Sequence, residues 1–161
     1  MIYVISDLHG YPRAKLLQLL KKANFGDRDF LFILGDVIDR NGDGGVDILR
    51  WLLLQPNVEL LLGNHESMLL SCDFVFDEIT DEGIADLSTE KMDLLMTYMQ
   101  NGGDVTLKSL RKLAHTDSET LQDILDYLRE APLYETVSVG DSDFLLVHAG
   151  LDNFHLQRKL S

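Results

Sequence analysis

The chain has 161 residues, with 14 Lys plus Arg against 27 Asp plus Glu, and so a formal charge of −13. Hydrophobic residues make up 45% and charged residues 25%, a globular balance that excludes an extended disordered chain and allows one domain with a sizeable core. The acidic excess argues against a nucleic-acid or anionic-lipid surface, since both need basic patches, but a bound metal can invert the local field for an anionic substrate.

Ile2–Ser6 is a short apolar, β-branched run that predicts a buried strand. Residues 12–24 carry Leu16, Leu19, Leu20 and Ala23 at helical spacing, with Pro12 suited to the first turn and Gly26 as a stop. Phe30–Leu34 predicts a second strand. After the glycine-rich segment 42–45, residues 46–55 predict a helix that ends before Pro56. Val58–Leu62 predicts a third strand, and residues 65–72 open another helix. This alternation is the mark of an α/β fold with a parallel sheet and helical crossovers.

From residue 73 to 130 the character changes. The stretch from Asp73 to Asp93 holds eight acids and one base, which reads as a solvated face and loop. Methionines and leucines at 92–99, then 104–113 and 118–130, predict a mostly helical insert. Ser118 with Leu121, Ile124, Leu125 and Leu128 reads as a capped amphipathic helix. Leu133–Val139 and Phe144–Val147 then return to strand character around Gly140–Asp143, a four-residue hairpin loop.

Cys72 is the single cysteine, so no disulfide forms within the chain, which fits a reducing compartment. The apolar run before Asp7 is too short for a signal peptide, and no run reaches the ~18 apolar residues of a membrane span. The expectation is a soluble cytoplasmic protein with no membrane or nucleic-acid partner. Its oligomeric state is open.

Each predicted strand ends in polar residues of one kind. Asp7 and His9 follow the first, and Gly35, Asp36, Asp39 and Arg40 follow the second. Gly63, Asn64, His65 and Glu66 follow the third, and His148, Ala149 and Gly150 follow Val147. Ligands of open α/β sheets bind outside the carboxyl ends of the strands. One Asp after a strand is usually a cap or turn residue, but the repetition points to a site. Asp and Asn offer hard oxygen donors and His a borderline nitrogen, a set suited to divalent cations. Asp7, Asp36 and Asp39 would repel one another without them. His115 and His155 stand outside these motifs and read as structural.

Asp7-Leu8-His9-Gly10, Gly35-Asp36-Val37-Ile38-Asp39-Arg40, Gly63-Asn64-His65-Glu66 and His148-Ala149-Gly150 resemble the metallophosphoesterase superfamily. More narrowly they resemble the phosphoprotein phosphatase family that includes bacterial serine/threonine phosphatases. Asn101-Gly102-Gly103 followed by Thr106 is similar to a stretch common in bacterial members. The resemblance runs from residue 2 to about 151 and implies a calcineurin-like fold of β-sheets flanked by helices. It implies two divalent cations, manganese first, with iron, zinc or cobalt accepted by the same donors. Asp7 and His9 would hold one cation and Asn64 and His148 the other, with Asp36 bridging. Arg40 would clamp phosphate oxygens, and His65 would protonate the leaving oxygen with Asp39 orienting it. The nucleophile would be a metal-bridging hydroxide attacking phosphorus in line.

Asn41 departs from the glycine usual after that arginine. Family members also continue with a further metal-binding histidine, commonly in a Gly-His pair, and a second phosphate-binding arginine. After Gly150 the sequence has eleven residues, among which His155 and Arg158 lie in no such motif. Residues 1–161 therefore read as a single metallophosphoesterase domain cut shortly after its fourth motif, with Phe144–Val147 expected to lack sheet neighbours. Asp39–Gly44 also matches the start of an EF-hand loop, but Arg50 stands where that loop needs Glu. Asp43 and its glycines are read instead as a flexible rim.

The expected function is a metal-dependent phosphomonoester hydrolase of the serine/threonine protein phosphatase type, acting on a phosphoprotein or small phosphoester. The alternatives are a dinucleoside polyphosphate hydrolase of the diadenosine tetraphosphate type, whose family shares the first three motifs, or an inactive truncated binding domain. Asp often replaces Glu66 in the dinucleotide enzymes, so Glu66 favours the phosphatase.

Overall fold

The computed structural model describes residues 1–76 and 88–150. Strands β1 (Ile2–Ile5), β2 (Phe30–Leu34) and β3 (Val58–Leu61) form a parallel sheet in the order β1-β2-β3. The crossovers carry helices α1 (Arg13–Lys22) and α2 (Val46–Leu52). This is the α/β class that the alternation predicts. The middle strand is the most apolar of the three, with Leu31 and Ile33 buried on one face and Phe32 on the other.

Local chemistry sets the boundaries. Pro12 stands just before α1, and Lys21 and Lys22 occupy its last turn, where cations suit the helix dipole. Helix α2 begins after Gly45, with Asp43 accepting the N–H groups of Gly45 and Asp47 at 3.0 and 2.8 Å. It ends at Leu52 rather than reaching residue 55: the Leu54 and Gln55 N–H groups bond three residues back, to Trp51 and Leu52 at 3.1 and 3.0 Å, and Leu54 is 78% exposed.

Helix α3 (Asn64–Ser71) follows β3, and a short 3-10 turn spans Asp73–Phe76. The helical insert holds α4 (Thr89–Tyr98), a π-helical turn at Met99–Gly103, α5 (Asp104–Thr116) and α6 (Ser118–Glu130). The middle of the acidic stretch lies outside the described residues. The cap of α6 is Asp117 rather than Ser118: its carboxylate accepts from the Thr120 N–H at 3.1 Å and hydroxyl at 2.7 Å. Leu107, Leu110 and Leu113 of α5 and Leu121, Ile124, Leu125 and Leu128 of α6 bury in the same core as α2 and the sheet. Cys72 is fully buried in it as a small hydrophobe.

Beyond α6 the chain passes β3, where the Leu62 N–H donates to the Pro132 carbonyl at 2.8 Å. Strands β4 (Tyr134–Val139) and β5 (Ser142–Val147) form an antiparallel hairpin with Val139 opposite Ser142. The loop is Gly140-Asp141, shorter than the four residues expected. Ser142 and Asp143 join the ladder, and the Ser138 hydroxyl donates across to Asp143 at 2.6 Å. Among the described residues β5 pairs with β4 and with no other strand.

One carboxylate joins the ends of β2 and β3. Glu66 is fully buried. Its Oε2 accepts the N–H groups of Asp36 and Gly63 at 2.9 and 3.0 Å, and its Oε1 those of Val37 and Ile38 at 2.8 and 3.3 Å. Burial pushes its carboxyl above the ordinary value, and the N–H groups of Asp36 and Val37 offset only part of that rise. Four donors converge on two oxygens, which suits an acceptor-only carboxylate.

A glutamine at 66 keeps the shape but replaces one acceptor oxygen with an amide that faces backbone donors. Glu66→Gln is expected to lower stability by about 1–3 kcal/mol, measured by urea unfolding. Unchanged stability would show that the carboxylate does not organise this loop. Packing predicts a further contrast between Ile33, fully buried, and Phe144, which is 50% exposed. Ile33→Ala should cost about 2–5 kcal/mol and Phe144→Ala much less, by the same unfolding measurement.

Candidate metal centre

The carboxyl ends of β1, β2 and β3 and the end of β5 meet at one place. Gly35 lets them approach: a Cβ there would lie 2.6 Å from Gly63 Cα and 2.7 Å from His148 Nδ1. Its φ of +70° also lies in the left-handed region that favours glycine. Non-glycine residues share that region. Asp7, His9, Asp36, Asp39 and Arg40 have φ of 54, 40, 55, 76 and 69°, and all five are predicted site residues. Such conformations cost about 1–3 kcal/mol each and cluster at functional sites, where surrounding bonds hold them.

Asp36 lies at the middle of the cluster and is 4% exposed. It belongs to two groups of donor atoms, each within 4.8 Å: His9, Asp36 and His65, and Asp7, Asp36 and His148. His9 Nε2 is 3.6 Å from Asp36 Oδ2, and His148 Nε2 is 3.4 Å from Asp36 Oδ1. Asn64 Oδ1 is 3.1 Å from His148 Nε2. The grouping sets Asp7 with His148, whereas the resemblance pairs Asp7 with His9.

The imidazoles are oriented from behind. His9 Nδ1 lies 3.0 Å from the Ile38 carbonyl, and His148 Nδ1 lies 2.7 Å from the Leu34 carbonyl. A carbonyl only accepts, so each Nδ1 carries a proton and each Nε2 is left as the atom available to a cation. Backbone anchoring of this kind fixes the tautomer of metal-binding histidines. The donor set therefore fits divalent cations, with oxygen and nitrogen atoms converging on a shared carboxylate.

His65 is buried, with Nδ1 2.7 Å from Asp39 Oδ2. Its Nε2 lies 3.1 Å from Arg40 Nη2, which donates, and 3.9 Å from Asp36 Oδ2. Arg40 itself is exposed. Sequence reasoning missed Tyr98. Its hydroxyl donates to Asp39 Oδ1 at 2.7 Å from an element 59 residues away. The apolar periodicity of 92–99 marks it only as a helix-core residue. Thr106, noted only as part of a motif, also bonds Asp39.

The loop after Arg40, expected as a rim, is tied by hydrogen bonds to itself and to the first loop. The Gly44 N–H donates to the Asn41 carbonyl at 2.9 Å, and Asn41 Nδ2 donates to the His9 carbonyl at 3.0 Å. Asp43 caps α2, as described above. His115 is exposed on α5, while His155 and Arg158 lie outside the described residues. No helix among the described residues is long and apolar enough to cross a membrane.

The comparisons bear on these observations. The family model for calcineurin-like phosphoesterases matches residues 1–160. A protein of Acidovorax sp. (strain JS42) named symmetrical bis(5'-nucleosyl)-tetraphosphatase is 28% identical over 151 residues, covering 93% of this chain and 44% of that protein. A protein of the same name from Buchnera aphidicola subsp. Schizaphis graminum is 44% identical over 73 residues, covering 44% of this chain and 26% of that protein. The chain thus spans less than half the length of the curated relatives it matches. A solved structure of a hypothetical protein from Pyrococcus horikoshii OT3 matches with a TM-score of 0.45 and 18% identity, covering 90% of this chain and 54% of that one.

These names overturn the serine/threonine phosphatase reading. Glu66 favoured that reading only as a residue type, and its side chain is bonded to backbone N–H groups. With four motifs gathered around one shared carboxylate and a family match over nearly its whole length, the chain belongs to the calcineurin-like phosphoesterase family.

Proposed function

We propose that this chain carries the centre of a metal-dependent hydrolase that splits the polyphosphate bridge of a dinucleoside polyphosphate. The observation that carries it is the placement of Asp36 in two donor groups at once. Relatives named symmetrical bis(5'-nucleosyl)-tetraphosphatase support the choice of substrate.

Asp36 and His9 would hold one cation, and Asp36, Asp7, Asn64 and His148 the other. Divalent cations there supply Lewis acidity toward phosphoryl oxygens and lower the pKa of water. The identity of the metal is not fixed by this donor set.

The chain's own residues would do the rest. The fixed Nδ1 bonds of His9 and His148 hold their Nε2 atoms ready as ligands. Arg40 offers a planar guanidinium to phosphate oxygens, a geometry that suits two-point contact. In turning toward phosphate it would leave His65 Nε2, which it now occupies. His65 would then hold a proton at Nε2 for the departing oxygen, while Asp39 keeps the proton on Nδ1.

The test compares diadenosine tetraphosphate, an aryl phosphate and a phosphopeptide, with and without manganese. Diadenosine tetraphosphate should be split to ADP only with metal. Turnover of the phosphopeptide alone would contradict the proposal. Asp36→Asn should reduce turnover by more than the ~100-fold typical of changes outside the ligand shell, and weaken metal binding in calorimetry. Wild-type metal affinity and turnover in that variant would remove Asp36 from its shared position.

A further inference from the structure

Asp39 is fully buried, and bonds reach its carboxylate from two sides. His65 Nδ1 takes Oδ2. On Oδ1 the Tyr98 hydroxyl donates at 2.7 Å and the Thr106 hydroxyl at 2.6 Å. Thr106 Oγ1 also accepts the Asp39 N–H at 3.0 Å. One hydroxyl thus grips both the backbone and the carboxylate of a residue held at a φ of 76°. The same segment holds the next residue, since the Arg40 N–H donates to the Gly102 carbonyl at 3.0 Å.

Tyr98 and Thr106 bracket the π-helical turn at Met99–Gly103. Such turns often occur at functional sites. This one requires Gly103, because a Cβ there would lie 2.5 Å from ring carbons Cε2 and Cζ of Tyr98. Tyr98 is fully buried, and burial together with the Asp39 charge pushes its phenol far above the ordinary tyrosine value, so it stays a donor. None of this is needed to close the apolar core. A phenylalanine and a valine of the same shape would fill the same space.

We propose that Tyr98 and Thr106 are positioning residues: they fix the Asp39 carboxylate, which in turn holds His65 with Nε2 aimed at the leaving oxygen. The last step rests on the reading of His65 given under the proposed function. A carboxylate terminal torsion is broad when unrestrained, so two donors on one oxygen define where the other oxygen points. The insert therefore braces Asp39 across 59 and 67 residues of sequence, and the proton donor through it.

The test uses the intact protein and Tyr98→Phe, Thr106→Val and Thr106→Ser. Proton NMR of the magnesium-loaded protein reads the His65 Nδ1 proton without requiring turnover. Kinetics compare phenyl phosphate, a poor leaving group, with 4-nitrophenyl phosphate, a good one. Tyr98→Phe and Thr106→Val should shift or broaden the imidazole proton. They should lower kcat on phenyl phosphate about tenfold, with KM within about twofold and a smaller loss on 4-nitrophenyl phosphate. Thr106→Ser should restore both readouts. An unchanged imidazole proton and an unchanged leaving-group dependence in Tyr98→Phe would overturn the proposal. Tyr98→Phe, which loses only the hydroxyl, decides the matter if Thr106→Val does not fold. If the wild-type protein turns over no phosphoester or phosphoanhydride, the functional reading fails, and the imidazole proton still decides the positioning role.

Discussion

The site depends on the buried Glu66 carboxylate more than on any ligand. Its oxygens collect N–H groups from Gly63, at the end of β3, and from Asp36, Val37 and Ile38, after β2. A loop leaving a parallel strand has no ladder partner for these donors, and leaving them buried and unpaired is costly. One side chain at the start of α3 satisfies all four. It thereby locks the backbone that carries Asp36 and Asp39 against the helix that carries Asn64 and His65. Removing the carboxylate therefore acts on the donors of the candidate metal centre without touching any of them.

That lock makes the unusual backbone tolerable. Five site residues without glycine's freedom sit at positive φ, and the bonds around them supply the compensation. The His9 N–H donates to the Asp36 carbonyl at 2.9 Å and the Gly10 N–H to the Val37 carbonyl at 2.9 Å, tying the first loop to the second. Thr106, Tyr98 and Gly102 brace Asp39 and Arg40 from the insert. The first two loops, α3 and the insert form one hydrogen-bonded unit, and His148 joins it through the Leu34 carbonyl. The candidate donor atoms are held by the protein's own hydrogen bonds, as pre-organised sites require.

Much of this was legible in the residues, for physical reasons. Phe30–Leu34 is apolar on both faces because a central parallel strand is covered on both, so its bounds could be read directly. Ser118–Glu130 has a complete helical stripe, and its bounds were equally plain; only its cap lay one residue earlier, at Asp117. Asp7, His9, Asp36, Asn64, His65 and His148 were legible because strand ends of such sheets gather at one edge. The braces were not. Tyr98 lies inside an apolar run and its single hydroxyl leaves no period, while three of the four partners of Glu66 lie about thirty residues upstream in backbone atoms that every sequence has. The substrate class was not legible, for another reason: the motifs that mark the site are shared between the phosphatase and dinucleotide families, and the Glu66 side chain is bonded to backbone N–H groups.

The most direct measurement is anomalous diffraction from crystals soaked in manganese. The account predicts two peaks, one on each side of the Asp36 carboxylate, the first facing His9 and the second facing Asp7, Asn64 and His148. No peak at this cluster, or a single peak away from Asp36, would contradict the shared-carboxylate centre on which the account rests.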